Sequence, residues 1–172
     1  MHCLMLPLLI TAVTRSASAQ GPVTAAVDVT AQIISPITIA STHALDFGRV
    51  FNASTKTVAP NVAASGHVEV SGTSGSAVNL SVTMPTVLKA ASSDQIAVVN
   101  WNYMLSSNAT LVGATPVGFN AGVAQPIAAV LGGTGGVTKL YLGLGATLQA
   151  SASAPMGSYT GTGQVTAAYA DL

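Results

Sequence analysis

The chain of 172 residues carries five Lys/Arg against five Asp/Glu, a formal net charge of zero, and a single cysteine. So few cations exclude a basic groove for nucleic acid and a basic amphipathic face for a membrane surface. Hydrophobic residues make up 49% of the chain and recur at regular spacing, which excludes a disordered polypeptide; the length fits one domain.

Residues 1–19 read as a secretory signal. Leu4 to Val13 is apolar apart from Pro7 and Thr11, and Ala17-Ser18-Ala19 is the small-x-small pattern of a cleavage site, making Gln20 the first mature residue. Met1-His2-Cys3 supplies none of the basic residues that usually precede such a run. The run is shorter than the roughly 20 apolar residues that span a bilayer, so no membrane insertion is expected. Removing this leader removes Cys3, and with it disulfides, zinc–thiolate sites and cysteine nucleophiles. An exported protein of this kind must rely on core packing and sheet hydrogen bonds.

The mature chain opens with an alternating stretch in which Val23, Ala25, Val27, Val29 and Ala31 are apolar; residues 20–31 read as a strand-like arm. Period-2 alternation then recurs along the chain. Val68 and Val70 oppose His67, Glu69 and Ser71. Val78, Leu80, Val82 and Met84 alternate with Asn79, Ser81 and Thr83 before Pro85. Val99, Trp101, Tyr103 and Leu105 are expected to share a face opposite Asn100, Asn102 and Met104. Leu140, Leu142 and Leu144 alternate with Lys139, Tyr141 and Gly143, and Val165, Ala167 and Tyr169 close the series in a stretch read as strand from Gly157 to Tyr169. Glycine- and proline-rich turns fall between these runs, at 71–75, 132–136 and 153–157. The segment from Thr115 to Val130 is open between a long connection and a short helix around Ile127 to Leu131. Half-buried antiparallel strands of this kind predict an all-β, two-sheet sandwich over residues 32–172, preceded by the arm. An apolar arm at one end and an alternating strand at the other suggest a subunit that lends a strand to a neighbour.

Catalytic chemistry is sparse, and no enzymatic activity and no cofactor are expected. His67 and Glu69 share a strand face, but a metal site wants three or four ligands and no third is near in sequence. The pair reads as solvent-facing on an edge strand, and an enzyme would have to rest on it. His43 stands three residues before Asp46, which belongs to a structural motif. There is no G-x-S-x-G elbow and no H-E-x-x-H. The glycines from Gly132 to Gly136 run into Val137-Thr138-Lys139, without the ending of a phosphate loop, and read as a turn. Sequons at Asn52, Asn79 and Asn108 are expected by chance in a chain this rich in Ser and Thr. Trp101 reads as core. A carbohydrate-binding adhesive module would need exposed aromatics, for which Tyr141, Phe119 and Tyr159 are the candidates.

Three segments carry a resemblance when taken together: Ile33-Ile34-Ser35-Pro36-Ile37-Thr38-Ile39, then Leu45-Asp46-Phe47-Gly48, and finally Gly157-Ser158-Tyr159-Thr160-Gly161 with the alternating run to Tyr169. This combination resembles an uncharacterised family of small secreted bacterial β-sandwich proteins. That family is in turn similar to the spore-coat-U-like pilins of archaic chaperone–usher pili, which carry an L-x-F-G segment and a closing G-x-Y strand. The resemblance spans essentially the whole mature chain. It implies an immunoglobulin-like sandwich that is incomplete and is completed by a donor strand. The gap would be filled first by a periplasmic chaperone and then, at an outer-membrane usher, by the arm of the next copy of the protein. The destination would be a fimbrium at the cell surface. Partner-binding residues on this reading are the plugs Val23, Ala25, Val27, Val29 and Ala31, and the closing-strand positions Gly157, Tyr159, Gly161, Gly163, Val165, Ala167 and Tyr169. Leu45 and Phe47 are expected on one face, with Gly48 allowing a tight bend. The chain departs from the pilins in having Ala170-Asp171-Leu172 after the tyrosine, and in lacking the disulfide of many classical pilins. The alternative is an arm that folds back to complete its own sandwich, giving a monomeric secreted protein.

Overall fold

Residues whose side chains alternate between apolar and polar can satisfy their backbones only by pairing with other such strands, and the computed structural model shows how they do so. It describes residues 21 and 23–170; the signal segment 1–19 lies outside the described residues. Ten strands follow in chain order: β1 (Thr38–His43), β2 (Thr55–Val58), β3 (Gly66–Thr73), β4 (Ala77–Thr83), β5 (Val87–Lys89), β6 (Gln95–Ser106), β7 (Val117–Gly118), β8 (Gln125–Val130), β9 (Val137–Gln149) and β10 (Gln164–Tyr169). There is no helix among the described residues. One sheet runs β1-β3-β9-β6-β5, with β2 also on β9 and β7 also on β6; the second runs β10-β4-β8. Every pairing is antiparallel. The protein is an all-β sandwich.

The core is the inward half of the alternation. Val68 and Val70 of β3, Val78, Leu80 and Val82 of β4, and Leu140, Leu142, Leu144, Ala146 and Leu148 of β9 are all buried. On the opposite face of β9, Gly143 and Gly145 replace side chains. A Cβ at Gly143 would run into the Pro60 carbonyl and the Leu111 side chain, and one at Gly145 would lie 2.5 Å from the Val58 carbonyl oxygen. These two glycines let the chain after β2 cross directly over the sheet's outer surface, where Met104 and Leu111 are buried as well. Edge strand β8 carries Pro126, a residue that can donate no ladder bond and is tolerated at an edge.

Four expectations need correction. Val99 does not share a face with Trp101. The β6–β9 register shifts between Val99 and Asn102, and Asn100 takes φ 52°. This bulge turns Trp101 inward beside Val98, and Val99 falls opposite Thr147 on the other face. The segment around Ile127 is strand, not helix: β8 pairs with β4 along its whole length, Ile127 opposite Leu80. The closing strand is shorter than the alternation suggested, since Gly157–Gly163 makes only an isolated bridge, Thr160 to Lys89, before β10 begins. And β3 is not an edge strand, because β1 pairs with it on the side away from β9.

Residues up to Gln32 form a unit separate from the sandwich that begins at Ile33. Within that first unit the described residues are exposed, Val29 to 90%, and belong to no strand. Alternation alone does not make a strand, because one segment cannot satisfy its own backbone donors and acceptors.

Candidate strand-binding groove

Two sheet edges face a common gap. β1 is the last strand at one end of the larger sheet and β10 the last at one end of the smaller, so each keeps one unpaired edge among the described residues. Between them lies an open groove of about 780 Å³. Ile39 and Ser41 line it from β1, Gly163 and Val165 from the β10 side. Its floor is apolar core: Phe47, Val68, Met84, Trp101 and Leu144. All six residues of β1 are exposed, and β10 alternates only between exposed and half-buried. The terminal edges of such strands present backbone N–H and C=O groups with no strand partner among the described residues.

The inward residues of β10 reach the core through β4: Val165 opposite Val82, Ala167 opposite Leu80, Tyr169 opposite Val78. Tyr169 also ties the two sheets together. Its hydroxyl accepts from the Thr73 N–H at 2.8 Å and donates to the Ser35 carbonyl at 2.6 Å, while the Ser35 N–H donates to Thr73 Oγ1 at 2.8 Å. Gly72 leaves room for it, since a Cβ there would stand 2.5 Å from the hydroxyl oxygen. The chain entering β1 is thereby pinned to the end of β10. Tyr169→Phe leaves two backbone groups without this partner and is expected to cost about 1–3 kcal/mol. Guanidinium unfolding would read this as a lower midpoint at unchanged slope.

The other expected contact residues divide clearly. Val165, Ala167 and Tyr169 are half-buried on β10, and Gly161 and Gly163 lie along the groove. A Cβ at Gly161 would stand 2.8 Å from Leu88. Tyr159 lines the groove and donates to the Pro155 carbonyl at 2.8 Å, whereas Gly157 is exposed with open space around it. Val23, Ala25, Val27, Val29 and Ala31 are exposed in the separate first unit. Leu45-Asp46-Phe47-Gly48 forms the expected bend. Gly48 takes φ 59°, its N–H donates to Asp46 Oδ1 at 2.6 Å, and Leu45 and Phe47 both line the groove. Sequence reasoning missed β1 as the second wall, because Ile39 is its only large apolar side chain. The proposed adhesive aromatics are partly spent inside: Phe119 packs 6.2 Å from Trp101 and 6.0 Å from Tyr103 between ring centres.

The ionisable side chains that line the groove are His43, Asp46, His67 and Tyr159. Glu69 pairs with Lys139 at 2.8 Å and does not engage His67. His67 instead meets Ser65, Nε2 to Oγ at 2.7 Å. No three His, Cys, Asp or Glu side chains converge among the described residues. Burial, and then the nearby His43, hold the His67 pKa below the ordinary histidine value, against a smaller upward push from the Val62 carbonyl. The unfolded chain therefore takes up a proton at a pH where the folded one does not. Stability from His67 is fully present above the ordinary histidine pKa, and it is lost as pH falls toward the lowered folded value. Thermal melts between pH 7.5 and 5 should show this loss, and His67→Gln should flatten the profile.

Two antiparallel sheets, each with an unpaired edge among the described residues beside an apolar groove, define an all-β sandwich protein. The chain belongs to the family described as "Domain of unknown function (DUF4402)", which matches residues 37–169. That match begins one residue before β1 and ends at the last residue of β10, so it covers both walls of the groove. No curated protein matches the chain.

Proposed function

We propose that the protein is the structural subunit of a bacterial surface pilus or fibre, polymerising by donor-strand exchange of its N-terminal arm. The observation that carries this reading is the groove between β1 and β10, with an unpaired backbone edge on each side and core residues as its floor. A strand laid there pairs with both edges while its alternate side chains fill the floor, giving an immunoglobulin-like sandwich its missing strand. The dimensions agree. Six residues of β1 make an edge about 20 Å long at roughly 3.3 Å per residue, enough to seat three or four side chains of one face. The arm offers five such side chains, from Val23 to Ala31. Their small size suits a groove that the Gly161 and Gly163 backbone already narrows. No charged side chain stands in that apolar half of the arm, so the contact is hydrophobic and insensitive to salt.

On this reading the chain is exported, held in the periplasm with a chaperone strand in the groove, and passed at an outer-membrane usher to the next subunit. Material sheared from the cell surface and run unheated on an SDS gel should show a ladder of multimers that collapses on heating. A variant lacking residues 20–31 should show none. A single monomer band from the full-length protein under both conditions overturns the proposal in favour of a self-complemented secreted domain, and directs the search toward a glycan or other surface ligand.

A further inference from the structure

At the rim of the groove β1 and β3 carry a histidine pair that the strand-exchange reading does not use. His43 and His67 are directly opposed across β1 and β3, with ring centres 6.0 Å apart and planes inclined by 60°. The opposition depends on an irregularity. Ile39 and Ser41 face inward opposite Val70 and Val68, and strict alternation would send His43 inward too. The register shift between Ser41 and His43 places it beside His67 instead.

The protonation of His67 follows from its neighbours. Ser65 is fully buried, and its Oγ stands 2.6 Å from the Val62 carbonyl oxygen and 3.0 Å from that of Pro60. Carbonyl oxygens only accept, so the one hydroxyl proton is committed to them. The 2.7 Å contact with His67 must then be a donation from Nε2–H to Ser65 Oγ. That fixes the tautomer and leaves the Nδ1 lone pair free. A ring nitrogen donating to a held oxygen while the other stays unprotonated is the usual arrangement of a metal-ligating histidine. Two imidazoles sharing one cation at adjacent positions, with metal–nitrogen bonds of about 2.0–2.1 Å, set their ring centres roughly 4.5–5.2 Å apart, so the exposed His43 ring closes by about 1 Å when the cation binds.

We propose that His43 and His67 form a two-nitrogen site for a late first-row divalent cation, completed by water, with Ser65 orienting His67. Imidazole ligands select this class, and Cu²⁺ binds more tightly than Ni²⁺ or Zn²⁺ at a site of given geometry. The bound cation ties edge strand β1 to β3 at the rim of the groove, where both histidines stand. This site is independent of whether the groove takes a donor strand.

The test titrates Cu²⁺ into the full-length protein at pH 7.5 in a non-chelating buffer, followed by calorimetry and electron paramagnetic resonance. One equivalent should bind with two equatorial nitrogens and raise the melting temperature. His43→Ala, at an exposed edge position, should keep the far-UV spectrum and lose at least tenfold in affinity together with one nitrogen and the thermal shift. Subtracting its isotherm also removes any contribution from His2. Ser65→Ala should weaken binding about tenfold or more through loss of the orienting partner. An isotherm for His43→Ala identical to that of the parent overturns the proposal. So does a spectrum of the parent with a single coordinated nitrogen.

Discussion

Moving residues 21–32 from the N-terminus to a position after Leu172, on a short glycine–serine linker, will give a monomer that melts well above the variant from which they have simply been deleted. The arm then fills its own groove as a covalently attached strand. Burying Val23, Val27 and Val29 at roughly 1–2 kcal/mol each, with Ala25 and Ala31 below that range, supplies about 3–8 kcal/mol before ordering costs. Backbone pairing with the free edges of β1 and β10 adds to it. That gain is comparable to the whole stability of an ordinary domain, about 5–15 kcal/mol. If half of it survives the cost of ordering the arm, the melting temperature should rise by about 3–16 °C for a chain of this size. The tether supplies the arm at millimolar effective concentration, so filling does not depend on protein concentration. Size-exclusion chromatography should show one monomeric species, and unfolding in guanidinium should become slow, since releasing the strand requires opening both sheets. A melt that coincides with that of the deleted variant rules the arm out as the groove's occupant.

How much of this was legible in the sequence depends on which physical signal each element carries. β3 and β4 were visible because one face is buried and the other less so, β10 because half-buried residues alternate with exposed ones, and β9 because Leu140, Leu142 and Leu144 keep the period of two although Gly143 and Gly145 are covered as well. β1 and β2 were not. They are short and largely exposed, so little selects their side chains beyond what the edge tolerates. β8 hid for another reason. Gln125–Val130 is a short apolar run with a proline, which periodicity alone cannot assign to strand or helix. The groove was legible only by half. Val165, Ala167 and Tyr169 stood out on its smaller-sheet wall, but Ile39 gave no sign of the other. The His43–His67 opposition was beyond reach, because it depends on a register shift at Thr42 that no pattern of residue types announces. The same holds for the bulge at Asn100, where a residue tolerant of positive φ is the only trace.

That bulge determines where the largest single-residue effect lies. Trp101→Ala is expected to destabilise the sandwich by about 3–5 kcal/mol, the range for truncating a buried tryptophan. Trp101 is 5% exposed, and its indole N–H donates to the Pro85 carbonyl at 3.0 Å, tying the end of the β4 run to the middle of β6. Its ring also supports Phe119. Truncation therefore leaves a cavity, an unpaired carbonyl and a loosened aromatic neighbour at one point. Because the ring is also groove floor, the loss reaches binding: a peptide of residues 21–32 added to the arm-deleted protein should stabilise the Trp101→Ala variant less than it stabilises the parent. Trp101→Phe separates the two effects. It keeps most of the apolar floor and so most of the response to the peptide, but it loses the bond to Pro85 and should cost about 1–3 kcal/mol. Equal peptide-induced shifts in the melting temperature of parent, Phe and Ala forms would mean that the arm does not touch this floor. A graded series, with the alanine form lowest, places the arm's side chains directly over Trp101.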